Sequence, residues 1–368
     1  LTPLDSDDRL MVAGRIRAAL EGLIEISRYQ WNERGALLIH GRLLLPSEQA
    51  YPQIRARLEP YGFTPFLTRS GDEDELLAAP LVVPKTQGRR WLPALLFGLT
   101  VLTTLMAGAM YHGVDIFQNP AGILSGLPFA LTLLGILGTH EMGHYVVGRL
   151  RGAPVSLPYF IPLPPPLSFT GTMGAVIVQR EPMEDRRTIL EIGLAGPLAG
   201  LVVAIPLLIY GLSTSTVGPS PTGGYMQEGN SLIYGGLKWL IFGQFLPGNG
   251  LDVQLNDVAW GAWIGLLVTM LNLLPVGQLD GGHAAYALLG RKADYLAYAV
   301  IAMCVALGVA VSETWLFWGV LAFLIGPRHP PPLNDIARLG TWHIALAIFG
   351  LLLFVLLFMP IPLKAVGV

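Results

Sequence analysis

A polytopic α-helical membrane protein is the fold class this 368-residue sequence predicts. It comprises about seven transmembrane helices, a re-entrant β-hairpin and a small N-terminal α+β soluble domain. Three observations carry the expectation. Only 13% of the residues are charged, about half the share usual in soluble domains, and the mean hydropathy is +0.55. Charge is unevenly placed: 12 of the 23 Lys and Arg fall within the first 90 residues. Beyond them, apolar stretches of membrane-spanning length recur. The net charge of −2, without a long basic run, argues against a nucleic-acid partner. The single cysteine, Cys304, excludes an intrachain disulfide and a cysteine-based zinc site.

Residues 1–88 read as the soluble domain, on the cytoplasmic side. Over 6–28, Leu10, Ala13, Ile16, Leu20 and Leu23 share one helical face behind Ser6 as N-cap. "ALLIHGRLLL" (36–45) alternates as a strand, and 47–60 reads as a helix whose start Pro52 delays. "TPFLTR" and "LLAAPLVVP" make two further strands around the acidic turn "SGDEDE", for an α-β-α-β-β order. No chemical motif appears here.

Apolar spans follow near 91–112, 121–148, 188–212, 257–277, 292–311, 314–327 and 341–361. They divide the rest into a first helix and loop (89–120), a membrane core (121–290) and C-terminal helices (291–368). The stretch 231–246 is shorter, carries Lys238, and reads as interfacial or re-entrant. Basic residues test the layout. With Arg89 and Arg90 on the inner side, seven crossings put Arg149, Arg151, Arg180, Arg186, Arg187, Arg291, Lys292, Arg328 and Arg338 on that same side. Only Lys238 and Lys364 face outward. This bias gives the N-terminus to the cytoplasmic face.

Inside the second span lies "LGTHEMGHYVVG" (137–148), where His140, Glu141 and His144 form H-E-x-x-H. Positions i and i+4 share a helix face, so two imidazoles can hold one Zn²⁺ with Glu141 beside them as general base. Chance, or histidines that only satisfy neighbouring carbonyls, is the plainer alternative. It fits poorly with three titratable groups in five residues at membrane depth, where such groups are costly. A catalytic zinc usually takes three protein ligands and leaves one position open. Asp280, in "LNLLPVGQLDGGH", is the strongest third candidate. It ends an apolar span at the depth of His144. His283 is a rival, and Glu191 is better suited to an ion pair.

These motifs resemble the site-2 protease family of intramembrane zinc metalloproteases. The resemblance is strong over about 121–290, and "GTMGAVIVQ" (171–179) with the N-terminal domain looks most like the plastid and cyanobacterial branch. It implies one Zn²⁺ per chain on His140, His144 and Asp280, with Glu141 catalytic. "EIGLAGPLAG" (191–200) resembles the middle core helix, and "NLLPVGQLDGG" fits the family pattern N-x-x-P-x-x-x-L-D-G. The resemblance further implies that Asn272 and Pro275 line the substrate site. Gly277 stands where many members have a second proline. The 44 residues of 213–256 leave no room for the PDZ domain of many bacterial members.

The chemistry this implies is hydrolysis of peptide bonds within transmembrane segments. Expected substrates are single-span or helical-hairpin membrane proteins, such as anchored transcription regulators or anti-sigma factors. The expected location is the bacterial cytoplasmic membrane, with a plastid or thylakoid membrane as alternative, and a site open to the cytoplasmic side. A transmembrane helix must unwind before attack. "FTGTMGAVIVQ" reads as an edge strand that could pair with the unwound peptide through Gly171, Thr172, Met173 and Gly174, or else as a structural hairpin. "LPYFIPLPPPLS" before it cannot be regular helix. An inactive scaffold and a metal or proton transporter are the competing classes. The intact HExxH and Asp280 speak against the first, the lack of inverted repeats against the second.

The charge bias predicts that cysteines introduced at positions 181 and 220 label from opposite sides of intact cells. Labelling from the same side would break the span count.

Overall fold

A computed structural model describes residues 6–33, 35–81, 91–179, 181–221 and 223–367. Val82–Pro84 of the third expected strand, and Arg89, Arg90 and Arg180 of the charge count, lie outside the described residues. The chain divides into two compact units. The first holds Leu1–Gln87, Arg180–Ile189 and Pro330–Trp342; the second holds Gly88–Gln179, Leu190–His329 and His343–Val368.

The first unit begins with α1 (Ser6–Leu20), β1 (Ile24–Trp31), β2 (Leu37–Leu43), α2 (Ser47–Leu58), β3 (Thr64–Ser70) and β4 (Glu73–Ala79). The strands form one antiparallel sheet in the order β1-β2-β4-β3. The order is therefore α-β-β-α-β-β, with a strand where the first helix was expected to continue. Gly22, at φ 77°, ends the helical path, and Ile24 and Ile26 alternate with polar residues as a strand requires. Ala13, Ile16 and Leu20 of the expected helix face are buried, whereas Leu10 is 66% exposed. Pro52 does not delay α2, which starts at Ser47 behind Pro46.

Two loop segments complete this sheet. The Leu67 amide donates to the Leu333 carbonyl (2.7 Å), and the Asp335 amide donates back to Leu67 (2.9 Å). On its far edge, Leu333 and Asn334 donate to Met183 and Glu184 (2.9 and 2.7 Å). Ion pairs Arg55–Glu181, Arg186–Asp335 and Arg187–Glu48, each 2.9 Å, hold the same segments. Leu333 lies in the hydrophobic core of the unit with Ile16, Ile54 and Leu76.

The remaining elements, in the second unit except for the starts of α5 and α11, are α3 (Trp91–Tyr111), α4 (Leu127–Leu150), β5 (Tyr159–Pro162), β6 (Thr172–Val176), α5 (Arg186–Ser213), β7 (Thr216–Pro219), β8 (Tyr225–Glu228), α6 (Leu232–Phe242), β9 (Leu251–Gln254), α7 (Asp257–Asn272), α8 (Asp280–Leu289), α9 (Ala293–Ala310), α10 (Thr314–Ile325), α11 (Thr341–Leu357) and β10 (Leu363–Val366). Among the described residues, four helical segments are long and apolar enough to cross a membrane: Trp91–Tyr111, Pro120–Leu150, Arg186–Ser213 and Asp280–Ala310. The helices α6, α7, α10 and α11 are apolar but shorter.

Two boundaries differ from the spans expected above. α7 stops at Asn272, because Pro275 cannot continue its hydrogen-bond ladder. Helix then resumes at Asp280, well before residue 292, and Asp280 opens α8 instead of closing a span. The cause is a backbone fold-back over 273–279. A Cβ at Gly281 would come within 1.9 Å of the Leu273 carbonyl oxygen, and one at Gly277 within 2.0 Å of that of Gly326. Gly277 also has φ 52°, so the residue that departs from the family's second proline is one this backbone requires.

β5 and β6 pair antiparallel, with Phe160 opposite Ala175 and Pro162 opposite Thr172. The stretch 213–256 carries structure that no motif announced: β7 pairs with β9, and β8 pairs with the distant β10. Lys238 of α6 is turned inward, 3.3 Å from the Glu228 carboxylate, while Leu232 and Leu240 are exposed.

Leu333→Ala should destabilise the first unit by about 2–4 kcal/mol, read as faster hydrogen exchange at the β3 amides. Leu10→Ala serves as the exposed control. Equal exchange in both variants would remove Leu333 from the core.

Candidate metal centre

α4 carries His140 and His144 one turn apart, and both point to the first residue of α8. His140 Nε2 lies 3.3 Å from one Asp280 oxygen and His144 Nε2 lies 3.4 Å from the other. The two Nε2 atoms are 3.2 Å apart. Among the described residues, these three side chains are the group of His, Cys, Asp and Glu whose ligand atoms cluster as a metal site would need. A tetrahedral ion with bonds of about 2.0–2.2 Å separates its ligand atoms by about 3.3–3.6 Å. The donor set and its spacing therefore fit Zn²⁺ held by two imidazoles and one carboxylate.

The ring of His144 is oriented from behind. Its Nδ1–H donates to the carbonyl of Ile192 at 2.7 Å, which leaves the Nε2 lone pair for the centre. Ile192 belongs to α5, and α5 reaches this close because a glycine stands on one side of each of the closest contacts around it. A Cβ at Gly196 would lie 2.1 Å from His144 Nε2, and one at Gly193 would lie 2.6 Å from the His283 Cβ. Gly200 faces the His140 Cβ at 3.2 Å, and Gly143 of α4 faces the Ala195 carbonyl at 2.5 Å. Positions 193, 196 and 200 follow the i, i+3, i+7 spacing of one helix face.

Glu141 is buried beside the centre, within electrostatic reach of both His144 and Asp280. The Asn272 amide nitrogen is 3.4 Å from His140 Nε2. The rivals of Asp280 have other partners. His283 Nδ1 lies 2.7 Å from His329 Nε2, and Glu191 pairs with Arg151 and, at 3.0 Å, with His343.

Beside the triad lies an apolar cavity of 460 Å³. Asn272, Thr172, Met173 and Gly174 line it, together with Leu137 of α4 and Leu271 of α7. Met173 is 61% exposed. Two expected substrate residues are not in its wall. Pro275 is buried within the fold-back, and Gly171 packs on α3, where a Cβ would lie 2.4 Å from the Thr103 carbonyl oxygen. Phe317 and Trp318 of α10 form part of the wall, and nothing in their local sequence marks them. The Ile192 carbonyl was equally invisible, although the small residues of "EIGLAGPLAG" signalled the close approach that delivers it.

The family model of peptidase family M50 matches residues 128–311, half of the chain. The chain is 31% identical over 354 residues to "Probable zinc metalloprotease EGY2, chloroplastic" of Arabidopsis thaliana, an alignment covering 90% of this chain and 62% of that protein. It is 35% identical over 246 residues to "Probable zinc metalloprotease EGY1, chloroplastic" of the same plant, covering 64% and 43%. A rice relative, "Probable zinc metalloprotease EGY3, chloroplastic" (Oryza sativa subsp. japonica), is 26% identical over 247 residues, covering 61% and 41%. The chain thus spans about three fifths of the length of EGY2 and less of the others. No solved structure matches it.

Gly196→Ala should displace His144 and deplete the bound metal, measured by elemental analysis of purified protein. Gly135→Ala, which meets nothing within 4 Å on the same helix α4, should retain it. A fully loaded Gly196→Ala protein would refute the packing account.

Proposed function

Since the chain belongs to peptidase family M50, we propose that it is an intramembrane zinc metalloprotease that hydrolyses peptide bonds in the transmembrane segments of other membrane proteins. The observation that carries the reading is the meeting of His140, His144 and Asp280 at 3.2–3.4 Å, next to a carboxylate that is not itself a ligand. The relatives' names, which specify zinc, support the choice of ion.

When bound, zinc supplies a Lewis acid that polarises a peptide carbonyl and acidifies water. Glu141 takes the proton of the attacking water and delivers it to the nitrogen of the leaving amine. Asp280 and the two histidines hold their lone pairs convergent, and the Ile192 carbonyl keeps His144 in the tautomer this needs. Asn272, at the junction of cavity and triad, is placed to hold a substrate carbonyl. The cavity takes apolar side chains, and β6 offers a strand edge to an unwound peptide.

Seven crossings remain the proposed topology. A β-ladder needs both strands on one face of a bilayer. Segments 183–185 and 333–335 join the N-terminal sheet, while 225–228 pairs with 363–366. An odd number of crossings must then separate 189 from 225, 228 from 330 and 342 from 363 if the two sets lie on opposite faces. The short helices α7, α10 and α11 supply those that the four long segments do not. The proposed location is a bacterial cytoplasmic membrane with the site towards the N-terminal face. The chloroplastic names of the relatives favour the plastid alternative. Substrates are proposed to be single-span or helical-hairpin membrane proteins, anchored transcription regulators or anti-sigma factors among them.

Purified protein should carry about one zinc per chain, and His140→Ala, His144→Ala or Asp280→Ala should each remove it along with cleavage. Glu141→Gln should keep the zinc and bind substrate, while turnover falls by on the order of 10² or more. Comparing membrane proteomes of wild type and Glu141→Gln should reveal a trapped, uncleaved substrate. A zinc-loaded Glu141→Gln protein that cleaves at the wild-type rate would sink the assignment.

A further inference from the structure

The free edge of β6 is already occupied by side chains of its own loop. The Leu163 amide donates to the Gly171 carbonyl, so that carbonyl points towards β5. Across the same peptide plane the Thr172 N–H points the opposite way, and the Thr172 carbonyl lies on the same side of the strand as its own N–H. These two groups face away from β5, towards the side where a further strand would add.

Both meet one hydroxyl. The Thr170 hydroxyl donates to the Thr172 carbonyl (2.6 Å) and accepts from the Thr172 N–H (3.3 Å). On the β5 side, where the ladder shifts register, the Gly174 N–H donates to the Thr172 hydroxyl (3.0 Å), which itself donates to the Ile161 carbonyl (2.9 Å). Behind them, the Ser168 hydroxyl lies 2.8 Å from that of Thr170 and accepts from the Thr170 N–H (3.2 Å). Ser168, Thr170, Thr172 and Gly174 all line the cavity beside the triad. A hairpin that needed only to be stable in an apolar setting could leave this edge to a neighbouring element. Here it is satisfied by short side chains that rotate about one bond.

We propose that the Thr170 hydroxyl, backed by Ser168, is a built-in stand-in for a substrate strand. It holds the two outward backbone groups of Thr172 in β6 while the cleft is empty and yields them to the backbone of an entering peptide. The inference rests on the reading of β6 as the strand that pairs with substrate. Its consequence is selectivity for conformation. A segment still in helix has its amides and carbonyls engaged and cannot compete with the hydroxyl. A locally unwound segment presents a carbonyl for the Thr172 N–H and an amide for the Thr172 carbonyl at once. Thr170 is thus a positioning residue that sets how fully a transmembrane segment must unwind before it is accepted.

The test uses full-length protein in detergent micelles and a Leu/Ala-rich single-span peptide with a central Asn-Gly break. Thr170→Val keeps the shape and removes the hydroxyl, so the peptide no longer has to displace it. KM should fall by about threefold to tenfold, with kcat within about twofold and zinc content unchanged. Thr170→Ser should restore the wild-type KM. An unchanged or raised KM in a zinc-loaded Thr170→Val protein overturns the proposal. A second measurement separates it from the underlying reading. In a Cys304→Ser, Glu141→Gln background, Met173→Cys should form disulfides with peptide cysteines placed at every second position, as strand pairing requires. Absence of these cross-links overturns the pairing reading and this inference together. Cross-links with an unchanged KM in Thr170→Val overturn the role of the hydroxyl alone.

Discussion

Backbone contact between α4 and α5 is the constraint on which the site depends. Helices in a bilayer gain little from the hydrophobic effect against each other, and association relies on close packing and interhelical hydrogen bonds. Glycines at 193, 196 and 200 let α5 come near enough for side chains of α4 and α8 to rest on its backbone. That approach brings the Ile192 carbonyl within 2.7 Å of His144. The imidazole is then fixed in one tautomer, and its free nitrogen meets Asp280. A methyl group at Gly196 would occupy the space the ring now fills.

The second organising feature is how polar groups survive among apolar ones. His140, His144 and Asp280 converge their lone pairs on one point, and an ion of suitable charge would satisfy all three. Glu191 pairs with Arg151 and lies within hydrogen-bond reach of His343, and Lys238 pairs with Glu228. The proline-rich segment before β6 cannot form helix, and the β5–β6 hairpin provides its backbone with partners. The irregular backbone lines a cavity, the setting in which such backbone is tolerated at membrane depth. The proposed hydrolysis calls for that same cavity, since water and peptide would both have to reach the triad.

The first unit shows the same economy outside the spans. Its sheet is completed by Leu333–Asp335 and Met183–Asp185, segments that connect membrane helices, and Leu333 fills part of its core. Basic side chains there serve two ends: Arg186 and Arg187 carry the charge bias of the loops and form ion pairs within the unit.

Local pattern determined much of this protein. Apolar runs of bilayer length, the histidine pair spaced at one helical turn and the small-residue face of 191–200 were legible because each depends on residues close in sequence. Asp280 was readable as a candidate because a carboxylate beside an apolar run is costly without a partner. Other features needed the folded chain. β1 escaped because residues 21–28 continue an apolar spacing that suits a helix until Gly22 turns the backbone. The start of α8 depends on carbonyls of 273–277 folding back over Gly281 and Gly282. The choice of Asp280 over His283, the Ile192 carbonyl behind His144, the wall from α10 and the pairing of β8 with β10 join residues from 46 to well over 100 positions apart along the chain. Sequence specifies which groups are present and the local period on which they fall. Which of them meet is decided by how closely the helices approach, and that follows from shape in three dimensions.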